Sequence, residues 1–167
     1  NFEKKYFDEK KVKSTFVGHP LLEKETTNNV YLKNLPISKK KIISLFPGSR
    51  LSEVNILLPI LIDFIKLANN KYKDLIYVFH STKELKSFIH EKLVKTSLTN
   101  YEVISDDNIK KNMLSKSFFA IAKSGTISLE ICNLKIPSFI IYKMNFLNFF
   151  IVKMLVKVKY ANIINII

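Results

Sequence analysis

Short apolar runs alternate along this chain with longer amphipathic stretches, and few architectures accommodate that alternation. Ile42–Phe46, Leu75–Phe79, Tyr101–Ile104, Phe118–Ala122 and Pro137–Tyr142 read as strands, with a shorter one at Thr15–Val17. Between them Ser52–Asn69, Lys83–Lys95, Asp107–Ser115 and Thr126–Leu134 read as helices, and Phe146–Lys157 as a last one. In the first of these, Val54, Leu57, Leu58, Leu61, Ile62 and Ile65 recur near the helical period. Pro59 inside it predicts a kink or a late helix start, and Asp106 or Asp107 is placed to cap the third helix. Strands alternating with helices of this length predict βαβ units with right-handed crossovers. Runs such as Ile42–Phe46 lack the polar alternation of a half-exposed sheet and suit one covered on both faces. The fold class that follows is α/β, a doubly wound parallel sheet, with the polar segment Glu23–Asn34 as the internal boundary loop.

With 167 residues the chain is expected to form one domain. Its 47% hydrophobic content is too high for a disordered segment. The uncharged stretches Met144–Val152 and Tyr160–Ile167 fall short of the ~18 apolar residues of a membrane span. The single Cys132 excludes a disulfide framework and a cysteine-based zinc site, and fits a reducing compartment. The charged first residues lead into no apolar run and are not expected to act as a signal peptide. Position 1 is not Met and the chain stops inside Ile163–Ile167, so it is expected to be part of a larger protein.

A net charge of +13 invites a nucleic-acid reading, but all of the 27 basic residues except Arg50 are lysine. Base-reading surfaces depend on arginine, whose planar fork bonds guanine and phosphate in pairs. The scattered lysines, alongside many Asn and Ile, read as a compositional bias; a basic surface is compatible with anionic lipid head groups or anionic substrates, and charge alone does not decide.

The three glycines, Gly18, Gly48 and Gly125, each follow an apolar run where a strand ends. In doubly wound sheets ligands bind outside the carboxyl ends of the strands, so these loops are the candidate sites. In Pro47-Gly48-Ser49-Arg50 the glycine permits close backbone approach and the following helix start presents unpaired N–H groups. Arg50 adds a two-pronged phosphate partner. The plain alternative is a tight turn with Arg50 on the surface. Ser124-Gly125-Thr126 is a second such loop, and Glu130 lies one turn into the helix after it. A phosphate on the loop and ribose hydroxyls on Glu130 would suit a nucleotide; against this stands simple helix capping by Ser124 or Thr126. Neither loop is a Walker or dinucleotide fingerprint, and His19, His80 and His90 lack metal-ligand spacing. His80 reads as a strand-end residue, His90 as a helix-surface one, and Asp106-Asp107 as a cap rather than a metal pair. Anion binding without a metal or cofactor is the expected chemistry.

Taken in order, Val17-Gly18-His19-Pro20-Leu21-Leu22, then Leu45-Phe46-Pro47-Gly48-Ser49-Arg50 with Glu53, then Ser124-Gly125-Thr126 with Leu129-Glu130, then Pro137 leading to Tyr142-Lys143-Met144 form a pattern. It resembles the lipid-A-disaccharide synthases, inverting glycosyltransferases built of two Rossmann-like domains in the GT-B arrangement, over nearly the whole chain from Phe16 to Ile167. The resemblance implies a carboxyl-terminal, nucleotide-binding part: residues 1–13 a tail of the preceding segment, 14–145 the UDP-sugar-binding domain, 146–167 a crossover helix and the start of a return segment. It implies that UDP-2,3-diacylglucosamine and 2,3-diacylglucosamine 1-phosphate are joined, with release of UDP, at the cytoplasmic face of the inner membrane. It puts Gly48, Ser49, Arg50, Ser124, Gly125 and Thr126 around the diphosphate, Glu130 at the ribose, Ser105–Asp106 beside uracil, and Glu53 among the UDP-binding residues. Gly18, His19 and Asn165 would border the interdomain cleft, Asn165 as an active-site contact from a Tyr-x-x-x-Pro-Asn segment whose proline is here Ile164. The general base, a carboxylate in that family, would belong to the amino-terminal domain, so this chain alone is expected not to turn over.

The segment Phe146–Lys159, apolar with Lys153, Lys157 and Lys159, reads either as a helix packed between domains or as one lying on an anionic bilayer. Two rival functions remain at this level. One is another UDP-sugar enzyme of the same architecture, such as the peptidoglycan lipid II transferase or a UDP-N-acetylglucosamine epimerase, families with more glycines in their phosphate loops. The other is a non-catalytic basic α/β module for membrane or RNA, which predicts binding to any polyanion with a steep salt dependence.

Overall fold

The computed structural model describes residues 2–15 and 40–143. A short helix α1 (Phe2–Glu9) precedes an α/β unit of β1 (Lys41–Phe46), α2 (Leu51–Lys71), β2 (Leu75–His80), α3 (Lys83–Val94), β3 (Tyr101–Ile104), α4 (Asp107–Ser115), β4 (Phe119–Lys123), α5 (Ile127–Asn133) and β5 (Ser138–Ile141). The strands and helices expected between residues 42 and 142 are all present, with ends displaced by no more than a residue or two. Gly18, His19, the Glu23–Asn34 loop, the Phe146–Lys157 helix and Asn165 lie outside the described residues, as does all but Thr15 of the first expected strand.

All five strands are parallel, in the order β3-β2-β1-β4-β5. Alternate residues of each strand point to opposite faces. Ile43, Leu45, Leu75, Tyr77, Phe79, Val103 and Ile121 pack with Val54, Leu58, Leu61 and Ile65 of α2 and Ile89 and Leu93 of α3. From the other face, Ile42, Ile76, Val78 and Ile104 meet Met113 of α4, and Ala120 and Ala122 meet Leu114 and Ile131 of α4 and α5. Burial on both faces accounts for the unbroken apolar runs. The expected Rossmann-like doubly wound sheet is therefore the observed one.

Helix α2 begins at Leu51, well before Pro59, so the proline does not delay its start. Pro59 is on the exposed face, where the carbonyl that loses its intrahelical N–H partner faces water. On the buried face Ile65 is wholly covered. At the amino ends of the strands Tyr77 donates to Asn69 Oδ1 at 3.2 Å, and Asn69 and Asn100 exchange amide hydrogen bonds at 3.2 and 3.0 Å. Burial pushes the Tyr77 hydroxyl up to about 12, so it stays a donor. Helix α4 is capped by Asp106, which accepts from the N–H groups of Asn108 and Ile109 at 3.0 Å each. The capping use of the acidic pair is thus the one the fold makes.

Two substitutions in α2 test this arrangement. Pro59→Ala restores a helical N–H at an exposed site and is expected to raise stability in urea unfolding by about 1–3 kcal/mol. Ile65→Ala empties a fully covered position and is expected to lower it by about 2–5 kcal/mol.

Candidate functional site

The chain leaves β1 toward β2 on one side and returns through β4 on the other, so the winding reverses between β1 and β4. The loops that follow these two strands diverge, which opens a crevice at their carboxyl ends. A cavity of about 410 Å³ lies there. Phe46, Gly48, Ser49 and Glu53 form one wall, and Lys123, Ser124, Gly125, Thr126, Ile127 and Glu130 another. The end of β2 contributes His80, Ser81 and Thr82, and α4 contributes Asp107, Lys110, Lys111 and Leu114.

Seven of the positions expected around a nucleotide come together here: Gly48, Ser49, Glu53, Ser124, Gly125, Thr126 and Glu130. Arg50 and Ser105 do not line the cavity. The Arg50 side chain is 80% exposed, with its guanidinium 3.6 Å from Glu53 Oε1. Ser105 is half-buried just after β3.

Glu53 organises the first glycine loop. Its Oε2 accepts the Ser49 N–H at 3.0 Å, and its Oε1 takes the Lys123 ammonium at 2.7 Å. This is one half of a capping box, with the carboxylate three residues into α2 reaching back over the helix start. Burial of the carboxylate opposes its charge, but Lys123 and the N–H groups of Ser49 and Arg50 outweigh it, holding the Glu53 carboxyl below its usual range. Gly48 has φ +121°, and a Cβ there would stand 2.6 Å from Glu53 Cβ and Oε2. Glycine is therefore required by both backbone and space. At Gly125 an added Cβ would meet nothing within 4 Å, so the fold alone does not require glycine there. Thr126 stands at the start of α5 without a side-chain capping bond, which removes hydroxyl capping by Thr126 as the reason for that residue.

Beside the cavity a buried polar chain crosses from β2 to α4. Ser117 Oγ donates to the Met113 carbonyl at 2.8 Å, so the 2.6 Å contact between Ser117 and Ser44 is a bond donated by Ser44. Ser44 then accepts from His80 Nε2–H at 2.8 Å. This order assigns the neutral tautomer with the Nδ1 lone pair free, and Nδ1 has no partner among the described residues. Burial, aided by the nearby Lys110 charge, lowers the His80 imidazolium to about 3. The ring stacks on Phe46 at 4.1 Å.

His80, Lys110, Lys111 and Lys123 were not singled out as ligand contacts by sequence. His80 and Lys123 are the last residues of β2 and β4, so the rule that sheets bind at their carboxyl ends could have found them. Lys110 pairs with Asp107 Oδ1 at 2.7 Å on the α4 wall. Among the described residues no group of His, Cys, Asp and Glu is arranged to hold a metal ion, and no helix is long and apolar enough to cross a membrane. Two glycine-bearing loops, a cationic wall and a carboxylate one turn into α5 can receive a group that is anionic at one end and rich in hydroxyls at the other.

Residues 1–167 match the family described as Lipid-A-disaccharide synthetase. A lipid-A-disaccharide synthase of Sulfurihydrogenibium sp. is 35% identical, covering 94% of this chain and 44% of the relative. Another from Rickettsia prowazekii is 34% identical, covering 99% of this chain and 44% of the relative. The chain thus spans somewhat less than half the length of these relatives. Among solved structures, a putative UDP-N-acetylglucosamine 2-epimerase from Listeria monocytogenes superposes with TM-score 0.51 at 16% identity, over 76% of this chain and 31% of that one. An S. aureus MnaA–UDP co-structure superposes with TM-score 0.51 at 24% identity, over 64% and 29%. These two likenesses bear on the fold.

Two outcomes follow from the geometry. Gly48→Ala is expected to cost about 1–3 kcal/mol as read from urea midpoints, and adding Glu53→Ala not to recover it, because alanine keeps the Cβ that stands 2.6 Å away. For His80, the unfolded chain takes up a proton near the ordinary value of 6.5 while the folded chain does not until about 3. The unfolded state therefore binds more protons in that window, and stability falls as the pH falls. Relative to His80→Gln, the parent chain is expected to lose about 2 kcal/mol between pH 6.5 and 5.

Proposed function

The chain belongs to the lipid-A-disaccharide synthetase family, and from that premise we propose that its cavity is the donor-nucleotide pocket of an inverting glycosyltransferase. The reaction condenses UDP-2,3-diacylglucosamine with 2,3-diacylglucosamine 1-phosphate to give the lipid A disaccharide 1-phosphate and UDP. The observation that carries this reading is the meeting of both glycine loops and Glu130 in one cavity at the point where the sheet reverses its winding. On it, residues 14–145 form the UDP-sugar-binding unit and 146–167 the crossover toward the other domain. Acylated substrates place the work at the cytoplasmic face of the inner membrane, to which a basic chain of charge +13 is attracted.

The acceptor hydroxyl attacks the anomeric carbon from the face opposite UDP and loses its proton to a base. The bond between that carbon and the diphosphate oxygen breaks, and UDP departs with the electron pair. Negative charge therefore grows on the diphosphate in the transition state. Cationic and N–H groups fixed around it stabilise the transition state more than the ground state. Gly125 leaves room for the diphosphate to approach the backbone, and Glu130 accepts from the ribose hydroxyls. The putative UDP-N-acetylglucosamine 2-epimerase from Listeria monocytogenes shares the fold, and an epimerase of that architecture is the second reading. The family match over residues 1–167 favours the transferase.

Titration of the full chain with UDP, with CMP as competitor, tests the pocket. Saturable UDP binding that CMP displaces weakly is expected. Gly125→Ala is expected to weaken UDP binding several-fold while leaving the thermal midpoint unchanged, because its added Cβ meets no atom within 4 Å in the fold. Equal response to any polyanion, with a steep salt slope, would instead support a basic binding module.

A further inference from the structure

We propose that Lys123, rather than Arg50, is the cation that receives the donor's diphosphate, and that Glu53 is the positioning residue that holds Lys123 between the two glycine loops. This inference rests on the donor-pocket reading and assigns its charge. Three observations lead to it. Glu53 already accepts the N–H of Ser49 at 3.0 Å, so that amide of the first loop is occupied by an internal carboxylate before any ligand arrives. Arg50 stands outside the cavity with its side chain 80% exposed. Lys123 ends β4, immediately before Ser124-Gly125, and its ammonium crosses to Glu53 of the opposite loop at 2.7 Å.

That crossing puts one positive charge between the loops that bear Gly48 and Gly125. An ammonium has three N–H donors, and the bond to Glu53 uses one. The side chain is 28% exposed and lines the cavity, so the remaining donors can meet a phosphate oxygen while the pair with Glu53 persists. Glu53 itself, 13% exposed and already bonded on both oxygens, is a poor ligand contact. A carboxylate beside a diphosphate would repel it unless a cation stood between them, which is where Lys123 stands. The other cavity lysine with a defined partner, Lys110, is paired with Asp107 on the α4 wall.

The test compares UDP with uridine on the full chain by calorimetry. Lys123→Met is expected to weaken UDP at least tenfold and to leave uridine within about twofold, the loss of a charge-assisted bond to phosphate alone. Lys123→Arg is expected to restore UDP binding to within a few fold. Glu53→Gln is expected to weaken UDP about threefold to tenfold, and Lys123→Met/Glu53→Gln to be no weaker than Lys123→Met. Should Lys123→Met fail to fold, Lys123→Gln is judged by the same criterion. Unchanged UDP binding in a folded Lys123 variant, or equal loss of UDP and uridine, would overturn the assignment and leave the donor pocket standing. Absence of UDP binding to the unsubstituted chain would overturn both.

Discussion

The central strand β1 lies between β2 and β4 with both neighbours parallel to it, and the rest of the structure depends on that placement. Parallel pairing sends every carboxyl end to the same edge, and the reversal of winding at β1 and β4 keeps the loops there from covering one another. A strand in that position has no solvent face. Its buried residues must be apolar or have their polar groups satisfied internally, and those of β1 are. Ile42, Ile43 and Leu45 enter the cores on the two faces, while Ser44 is tied to His80 and Ser117.

The electrostatics of the site follow from the same juxtaposition. β1 and β4 are neighbours, so a carboxylate from the first turn of α2 and the lysine ending β4 come within 2.7 Å. Each is partly withdrawn from water, so neither would be comfortable alone. Together they brace the two loops against each other and leave the positive member with donors to spare. On the opposite face His80 is kept neutral beneath a cationic wall, because burial disfavours its charged form.

Periodicity along the chain was enough to read the elements between Ile42 and Tyr142, because the inner strands β1, β2 and β4 are buried on both sides and α2 shows one apolar stripe. Pro59 marks the limit of such reading. A proline ordinarily argues against a helix interior, yet here it falls on the solvent face of a long helix whose opposite face is anchored by Leu58, Leu61 and Ile65. The glycine loops were readable as candidate ligand loops from their position after apolar runs. Arg50 was readable only as a residue type: as the lone arginine beside Gly48 it invited a phosphate role, but a residue type does not tell which way a side chain leaves the backbone. Lys123, one lysine among many, was marked only by its place at the end of an apolar run.

The sequence by itself determined the secondary structure, the parallel α/β class and the two loops at which a ligand is expected, because these depend on local period, turn chemistry and strand order. The tertiary structure alone decided that Glu53 meets Lys123 across the two loops, that Lys123 rather than Arg50 borders the cavity, and that His80 is buried and neutral. Those outcomes depend on distances between residues 36 to 70 positions apart, as in the Ser44–His80 and Glu53–Lys123 pairs. Only the pairing of β1 with β2 and β4 sets such distances, and no local pattern encodes them.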